Sequence, residues 1–308
     1  MAALQIIDAG GPHEKVTVEL MRRQRYFERL AVDVERTFVS NGTEAVELLA
    51  AGRGDAAVQV GFGPALVAIE RGAALRVVAG ANLLTVHALY SRLPEIRRLR
   101  DLQGRTVGVG RFGALTHQLI YAALLKHRID PQTITFVPIG NSATIFRALL
   151  AGRVDAGFGE TDVFEHQVHY GVHALEDGIL WQELPDFPNQ ASFATLAAIS
   201  GKRESLARTL AAHALLYRFL QRDDSWDEYA AAWRAALPES TVEEGRAQWS
   251  FYQRFQPFAA DLQLPEASID YLQELNMAMG LQRRVLSFSD VADMSVSQDA
   301  LELIDAVQ

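Results

Sequence analysis

The chain alternates between two hydrophobic rhythms. Leu4-Gln5-Ile6-Ile7, Ala56-Ala57-Val58-Gln59-Val60 and Arg105-Thr106-Val107-Gly108-Val109 are short, mostly apolar runs of the kind that form buried strands. Between such runs, apolar residues recur at helical spacing. Ala45, Val46, Leu49 and Ala50 form one stripe, Ile145, Phe146, Leu149 and Leu150 a second, and Leu119, Ile120, Ala123 and Leu124 a third. Strands alternating with helices predict parallel-rich sheets covered by helices on both faces, an α/β class.

The pattern also repeats. An offset of 100 maps residues 41–56 onto 141–156 with seven of sixteen positions kept: Asn41, Leu49, Ala51, Gly52, Arg53, Asp55 and Ala56. Each copy reads as a helix stopped by glycine (Gly52 or Gly152) and followed by a strand, Ala56–Val60 or Ala156–Phe158. Each is preceded by another strand, loop and helix. In the first half the loop is Ala9-Gly10-Gly11-Pro12-His13, with a helix to about Phe27; in the second it is Gly110-Arg111-Phe112-Gly113. Two look-alike lobes are expected. From about Gly201 the rhythm becomes purely helical: Leu206, Leu210, Tyr217 and Leu220 mark one helix, Trp226, Tyr229 and Trp233 the next, and Ile269, Leu272 and Leu275 one after Pro265. The aromatic stripe is read as a face packed on the core.

A length of 308 residues suits two lobes at roughly 150 residues per domain. With 49% hydrophobic and 22% charged residues, the chain can bury a sizeable core. A net charge of −9 argues against nucleic acid or an anionic membrane as the main partner. Zero cysteines exclude thiol nucleophiles, disulfides and thiolate metal sites. No window approaches the roughly 20 apolar residues of a membrane span. Met1 to Asp8 lack the basic and apolar regions of a signal peptide, which suits a cytoplasmic protein or a mature form with an added Met.

Gly108-x-Gly110-x-x-Gly113 has the dinucleotide spacing between a strand and a helix, but no acidic residue closes the second strand, so no nicotinamide cofactor is expected. A Gly-rich turn opening a helix can instead offer free amides to a small anion, with Arg111 supplying a planar charge and Thr116 and His117 further donors. Ser40-Asn41-Gly42-Thr43 and Gly140-Asn141-Ser142 read as N-caps at strand ends, where open sheets bind ligands. Asp55 and Asp155 fall at the opposite edge and read as turn residues. His166, His169 and His173 cannot share one metal: on a helix, i and i+7 are about 10 Å apart. They read as a solvated helix face, and no metal site is expected.

Asp101-Leu102-Gln103-Gly104-Arg105-Thr106-Val107-Gly108-Val109 followed by Arg111-Phe112-Gly113, the duplicated Ala-Gly-Arg-x-Asp-Ala stretches, and Leu184-Pro185-Asp186-Phe187-Pro188 resemble the nitrate/sulfonate/taurine-type binding proteins of ABC importers, which include thiamine-pyrimidine-related proteins. The resemblance covers nearly the whole chain. It implies a two-lobed type II periplasmic-binding-protein fold with extra C-terminal helices. Lobe one would be 1–86 plus 196–308 and lobe two 87–195, with crossovers near Leu84-Thr85-Val86-His87-Ala88 and Gln190-Ala191-Ser192-Phe193. It further implies a monomer that captures a small ligand by hinge closure, with an ABC permease as partner, no cofactor, and a periplasmic or extracytoplasmic location.

Carried over by position, the cleft residues are Gly11, Pro12, His13, Asn41, Gly42, Thr43, Gly61, Phe62, Gly63 and His87. Lobe two adds Arg111, Phe112, Thr116, Asn141, Glu160 and Ser192. Phe62, where the family often has small polar residues, implies an apolar wall. Glu160 would repel an anion unless paired with a cationic part of the ligand or with Arg111. The expected ligand is a small organic anion or zwitterion: a sulfonate, carboxylate or pyrimidine-like molecule. The alternative is a cytoplasmic decarboxylase- or lyase-like enzyme on the same fold, acting on a small aromatic acid through His13, His87 or Glu160.

Overall fold

Ten strands assemble into two five-stranded sheets in a computed structural model that describes residues 3–305. Residues 1–2 and 306–308, the outer ends of the expected first lobe, lie outside the described residues. In chain order the strands are β1 (Leu4–Ala9), β2 (Val34–Val39), β3 (Ala56–Val60), β4 (Leu75–Gly80), β5 (Ala88–Ser91), β6 (Thr106–Val109), β7 (Thr135–Pro138), β8 (Ala156–Gly159), β9 (His173–Ile179) and β10 (Ala191–Thr195). One sheet has the order β2-β1-β3-β10-β4, the other β7-β6-β8-β5-β9. The first three strands of each run parallel; the fourth is antiparallel to both neighbours.

The two orders are the same list. β6, β7 and β8 stand where β1, β2 and β3 stand, and each sheet receives as its fourth strand a segment entering from the other half. β3 is buried at all five positions, as expected of a central strand covered on both faces. The links between halves run side by side: Gln190 N–H donates to Asn82 O at 2.8 Å, and Ala81 N–H to Gln190 O at 3.2 Å.

The sequence repeat reappears hydrogen bond by hydrogen bond. Asn41 Oδ1 accepts from Glu44 N–H at 3.1 Å and Asn141 Oδ1 from Thr144 N–H at 3.0 Å, capping the helices Gly42–Ala50 and Ser142–Leu150. Gly52 and Gly152 both end their helices at φ +68°, the left-handed conformation that favours glycine. Asp55 Oδ2 accepts from Gln5 N–H and Asp155 Oδ2 from Thr106 N–H, both at 2.8 Å. These aspartates lock each helix-to-strand turn onto the neighbouring strand.

Elsewhere the elements depart from the sequence pattern. The first helix ends at Arg23, and Arg25 at φ 55° breaks it from a one-turn helix, Tyr26–Arg29. The three histidines do not share a helix. His166 joins two one-turn segments, and His173 opens β9 and hydrogen-bonds Ile96 O at 2.8 Å. Gly171, left-handed at φ 64°, is what ends the helix before that strand.

The helices Arg203–Leu220 and Ser295–Asp305 pack on each other beside the first sheet, and Trp226–Ala236 packs on Pro12–Arg23. Tyr229 and Trp233 are buried, while Trp226 carries the Arg246 guanidinium 3.6 Å above its ring. The helix Val242–Phe255, capped by a Thr241/Glu244 box, reaches the second half, where Thr161 donates to Gln248 and Tyr170 to Glu244. Among the described residues no helix is long and apolar enough to cross a membrane.

Candidate functional site

Open parallel sheets present their helix N-termini at the carboxyl ends of the strands, and here those ends face each other. The cavity between them has about 100 Å³ of free space. A water needs roughly 10–15 Å³ of such space, so several waters or a small organic molecule fit. β1, β2 and β3 contribute Gly10, Asn41 and Gly61 with their neighbours; β6, β7 and β8 contribute Gly110, Asn141 and Glu160. Asn82 and His87 from one link, Asn189 and Gln190 from the other, and Gln248 and Tyr252 from the C-terminal helices complete the lining.

Capping by Asn41 and Asn141 occupies the third amide of each helix, and the fourth bonds back to the cap carbonyl. That leaves Gly42 and Ser142 N–H as the free donors on the cavity wall, each at a helix N-terminus with its partial positive charge. Gly42 must be glycine, because a Cβ there would overlap the Gly61 carbonyl oxygen.

Between these termini lies a charged cluster. His13 Nδ1 sits 2.6 Å from Glu160 Oε2, joining the first half to the second; the side chains are 11% and 18% exposed. The contact lies outside hydrogen-bond geometry, so its strength is that of a close ion pair. Burial alone would discharge His13, but the Glu160 carboxylate overrides it and lifts the imidazole pKa to about 9. Burial likewise opposes ionisation of Glu160, yet His13, His87 and the Ser142 hydroxyl hold its carboxyl well below the usual range. His87 Nε2 is 3.8 Å from Glu160, and Thr85 Oγ1 is 2.9 Å from its Nδ1; burial, helped by His13, lowers its pKa and keeps it neutral. Burial first, and Glu160 second, raise Glu14 to about 7.

Two further residues bear the marks of a binding surface. Asn189 is 2% exposed, and its Oδ1 has no partner, an unpaired acceptor on the cavity wall. Gln59 lines the cavity at φ 52°, a left-handed conformation costing on the order of 1–3 kcal/mol inside a strand.

A family model described as NMT1/THI5 like matches residues 20–215. The chain belongs to the NMT1/THI5-like family. No curated protein matches it. The alkanesulfonate-binding protein SsuA from Xanthomonas axonopodis pv. citri, bound to MOPS, is similar with a TM-score of 0.78 at 18% identity, covering 94% of this chain and 98% of that one. The periplasmic aliphatic sulphonate binding protein SsuA from Escherichia coli gives 0.72 at 17% identity, covering 96% and 99%. The desulfurization enzyme DSZB gives 0.64 at 14%, covering 97% and 99%. At these identities the likeness establishes the fold. It is the type II periplasmic-binding-protein-like arrangement of two mixed five-stranded sheets with extra C-terminal helices.

In this NMT1/THI5-like chain the cavity gathers Gly11, His13, Asn41, Gly42, Gly61, His87, Thr116, Asn141 and Glu160 from the residues the sequence singled out. The others lie elsewhere. Phe62 is 0% exposed and belongs to a hydrophobic cluster drawn from both halves, outside the cavity lining. Ser192 is buried within β10, and Thr43 and Gly63 sit in the first turns of their helices away from the lining. Pro12 faces a neighbouring chamber.

Arg111 is 51% exposed and pairs with Glu47 at 2.7 Å across the rim, so Glu160 finds its cation in His13 instead. Phe112, 57% exposed, rests against His117 with ring centroids 5.4 Å apart. The Gly-rich loop spends its amides internally: Gly110 N–H donates to Thr116 Oγ1 at 2.8 Å and Gly113 N–H to His117 Nδ1 at 2.9 Å. Burial drives His117 down to about 4, which keeps that nitrogen an acceptor. Sequence reasoning missed Glu14, Gln59, Asn82, Asn189, Gln190, Gln248 and Tyr252. Glu14, next to His13, was the one within reach of the loop pattern.

Proposed function

We propose that the chain is the extracytoplasmic binding component of an ABC importer, closing on a small zwitterion between a lobe of 1–86 plus 196–308 and a lobe of 87–195. The carrying observation is the pairing of opposite chemistries in one small cavity. Two helix N-termini offer free amides to an anionic group, while Glu160 and the unpartnered Asn189 Oδ1 offer acceptors to a cationic one. Without a guanidinium in the lining, a simple anion meets Glu160 uncompensated except by His13, which favours the zwitterion over the anion. The names of the sulfonate-binding neighbours support a sulfonate or carboxylate as the anionic end.

Calorimetry against 2-aminoethanesulfonate, glycine and β-alanine, with ethanesulfonate, acetate and propylamine as singly charged counterparts, tests this. Binding confined to zwitterions is expected. Silence across the panel from folded protein would sink it.

A second reading, a lyase-like enzyme, is favoured by one feature: His13, His87 and Ser142 converge on Glu160, a buried set able to hold and pass a proton. Turnover of a small aromatic acid, lost in Glu160→Gln, would decide for it.

A further inference from the structure

The His13–Glu160 pair has a second side. The pair and Ser142 also line a second, half-open chamber of about 340 Å³, so the same side chains stand between two adjoining spaces. Beyond it the walls change character. Trp233, Phe146 and Tyr170 are aromatic and Leu237 is aliphatic, with Asp162 and Arg147 the charged residues near them. Tyr170 stands edge-on to Phe146 with centroids 5.4 Å apart, and the Trp233 ring lies 5.6 Å from that of His13. Trp233 is 1% exposed, yet its Nε1–H has no acceptor, whereas the Tyr170 hydroxyl is already committed to Glu244 at 2.8 Å. A buried indole N–H without a partner is costly in a native structure and calls for an acceptor.

We propose that this chamber is a second compartment of the ligand site, taking an aromatic group that bears a hydrogen-bond acceptor and is joined to a polar head held in the cleft. The proposal rests on the binding reading of the cleft. His13 belongs to the helix after β1 and Glu160 follows β8, so separation of the halves parts the pair and makes the two spaces one. Reclosure around an amphipathic ligand then places the charged end among the helix N-termini and the ring against Trp233 and Phe146. A ring edge there recovers the aromatic contacts that water cannot supply.

Benzamide is a suitable probe of the chamber by itself: neutral, aromatic and carrying a carbonyl acceptor. The full chain labelled with 5-fluorotryptophan has four fluorine sites, and the signal of Trp233 is identified by its loss in Trp233→Phe. Titration is expected to shift that signal saturably at roughly millimolar concentration, as befits so small a ligand, with Trp181, Trp226 and Trp249 unmoved. Ala143→Phe, which fills the chamber from the helix Ser142–Leu150, is expected to weaken binding about tenfold or more, while Val285→Ala, at an exposed position outside both spaces, leaves it unchanged.

An unmoved Trp233 signal, equal shifts at all four indoles, or equal binding of cyclohexanecarboxamide would overturn the aromatic compartment. The zwitterion panel fails or succeeds independently. A shift at Trp233 with no zwitterion binding would keep the chamber as an aromatic-amide site and remove the reading of the cleft.

Discussion

His13 and Glu160 are held apart in sequence and neutralise each other across the cleft, and the pH range in which they do so follows from their shifts. His13 rises from 6.5 to about 9, so its contribution to the folded state is complete below about 6.5 and is lost as pH climbs through 9. Glu160 is shifted down from 4.5, so its share is present above that value and vanishes on acidification. Glu14, raised to about 7 by burial and by Glu160, binds its proton more tightly in the folded state; its cost grows as pH rises from 4.5 to 7. His13 and Glu160 together place their greatest contribution at mildly acid pH, between about 4.5 and 6.5, and Glu14 draws the optimum toward the acid end of that range. Melting curves of the wild type should show a falling midpoint from pH 6.5 to 9, and Glu160→Gln should flatten that fall. An unchanged slope in the variant would show that the pair does not govern it.

At the scale of elements, the repeated caps and turns allow paired comparisons. Asn41→Ala and Asn141→Ala each remove one side-chain acceptor from a helix N-terminus and should each cost about 1 kcal/mol in denaturant titrations. Gly52→Ala and Gly152→Ala meet no neighbouring atom and add only left-handed strain, again about 1 kcal/mol. Gly42→Ala is different, since its new methyl collides with the Gly61 carbonyl and must push apart the two loops that build the cavity floor. It should lose ligand binding and stability together, whereas Gly52→Ala should spare binding. Identical behaviour of the two variants would contradict the close approach.

For the whole molecule, the question is what holds the halves together. Arg111–Glu47 is an exposed pair on the rim, worth about 0–1 kcal/mol, so Arg111→Ala should barely move the denaturation midpoint. Behind the cleft, Gln118 Nε2 donates to Asn276 Oδ1 at 2.7 Å, Asn276 donates to Gly63 O at 3.1 Å, and Gln282 continues the buried chain to Gln273 at 2.8 Å. Gln118→Leu strands the Asn276 oxygen and should cost about 1–3 kcal/mol. Small-angle scattering of that variant should show a larger radius of gyration if the amide chain fastens the second half to the C-terminal segment; an unaltered curve would place the fastening elsewhere.

What could be read along the chain was whatever is local or periodic. Strand and helix rhythms, the Asn41 and Asn141 caps and the Gly52 and Gly152 stops are each set by residues within one or two turns of one another, and the offset of 100 is a plain repeat of that local pattern, so the sequence determines them. The short one-turn segments around His166 were not legible, because a left-handed glycine outweighs weak helical spacing. Arg111 looked like the anion's partner for a local reason, its place in a Gly-rich loop. Only the tertiary structure sends it to Glu47 on the rim and lets Thr116 and His117 consume the loop's amides. Glu160 meeting His13, Asn189 left without a donor, and Trp233 beside a second chamber are likewise decided in space. Each depends on the juxtaposition of segments far apart in the chain, and charge, burial and hydrogen-bond satisfaction are properties of that juxtaposition, not of local sequence.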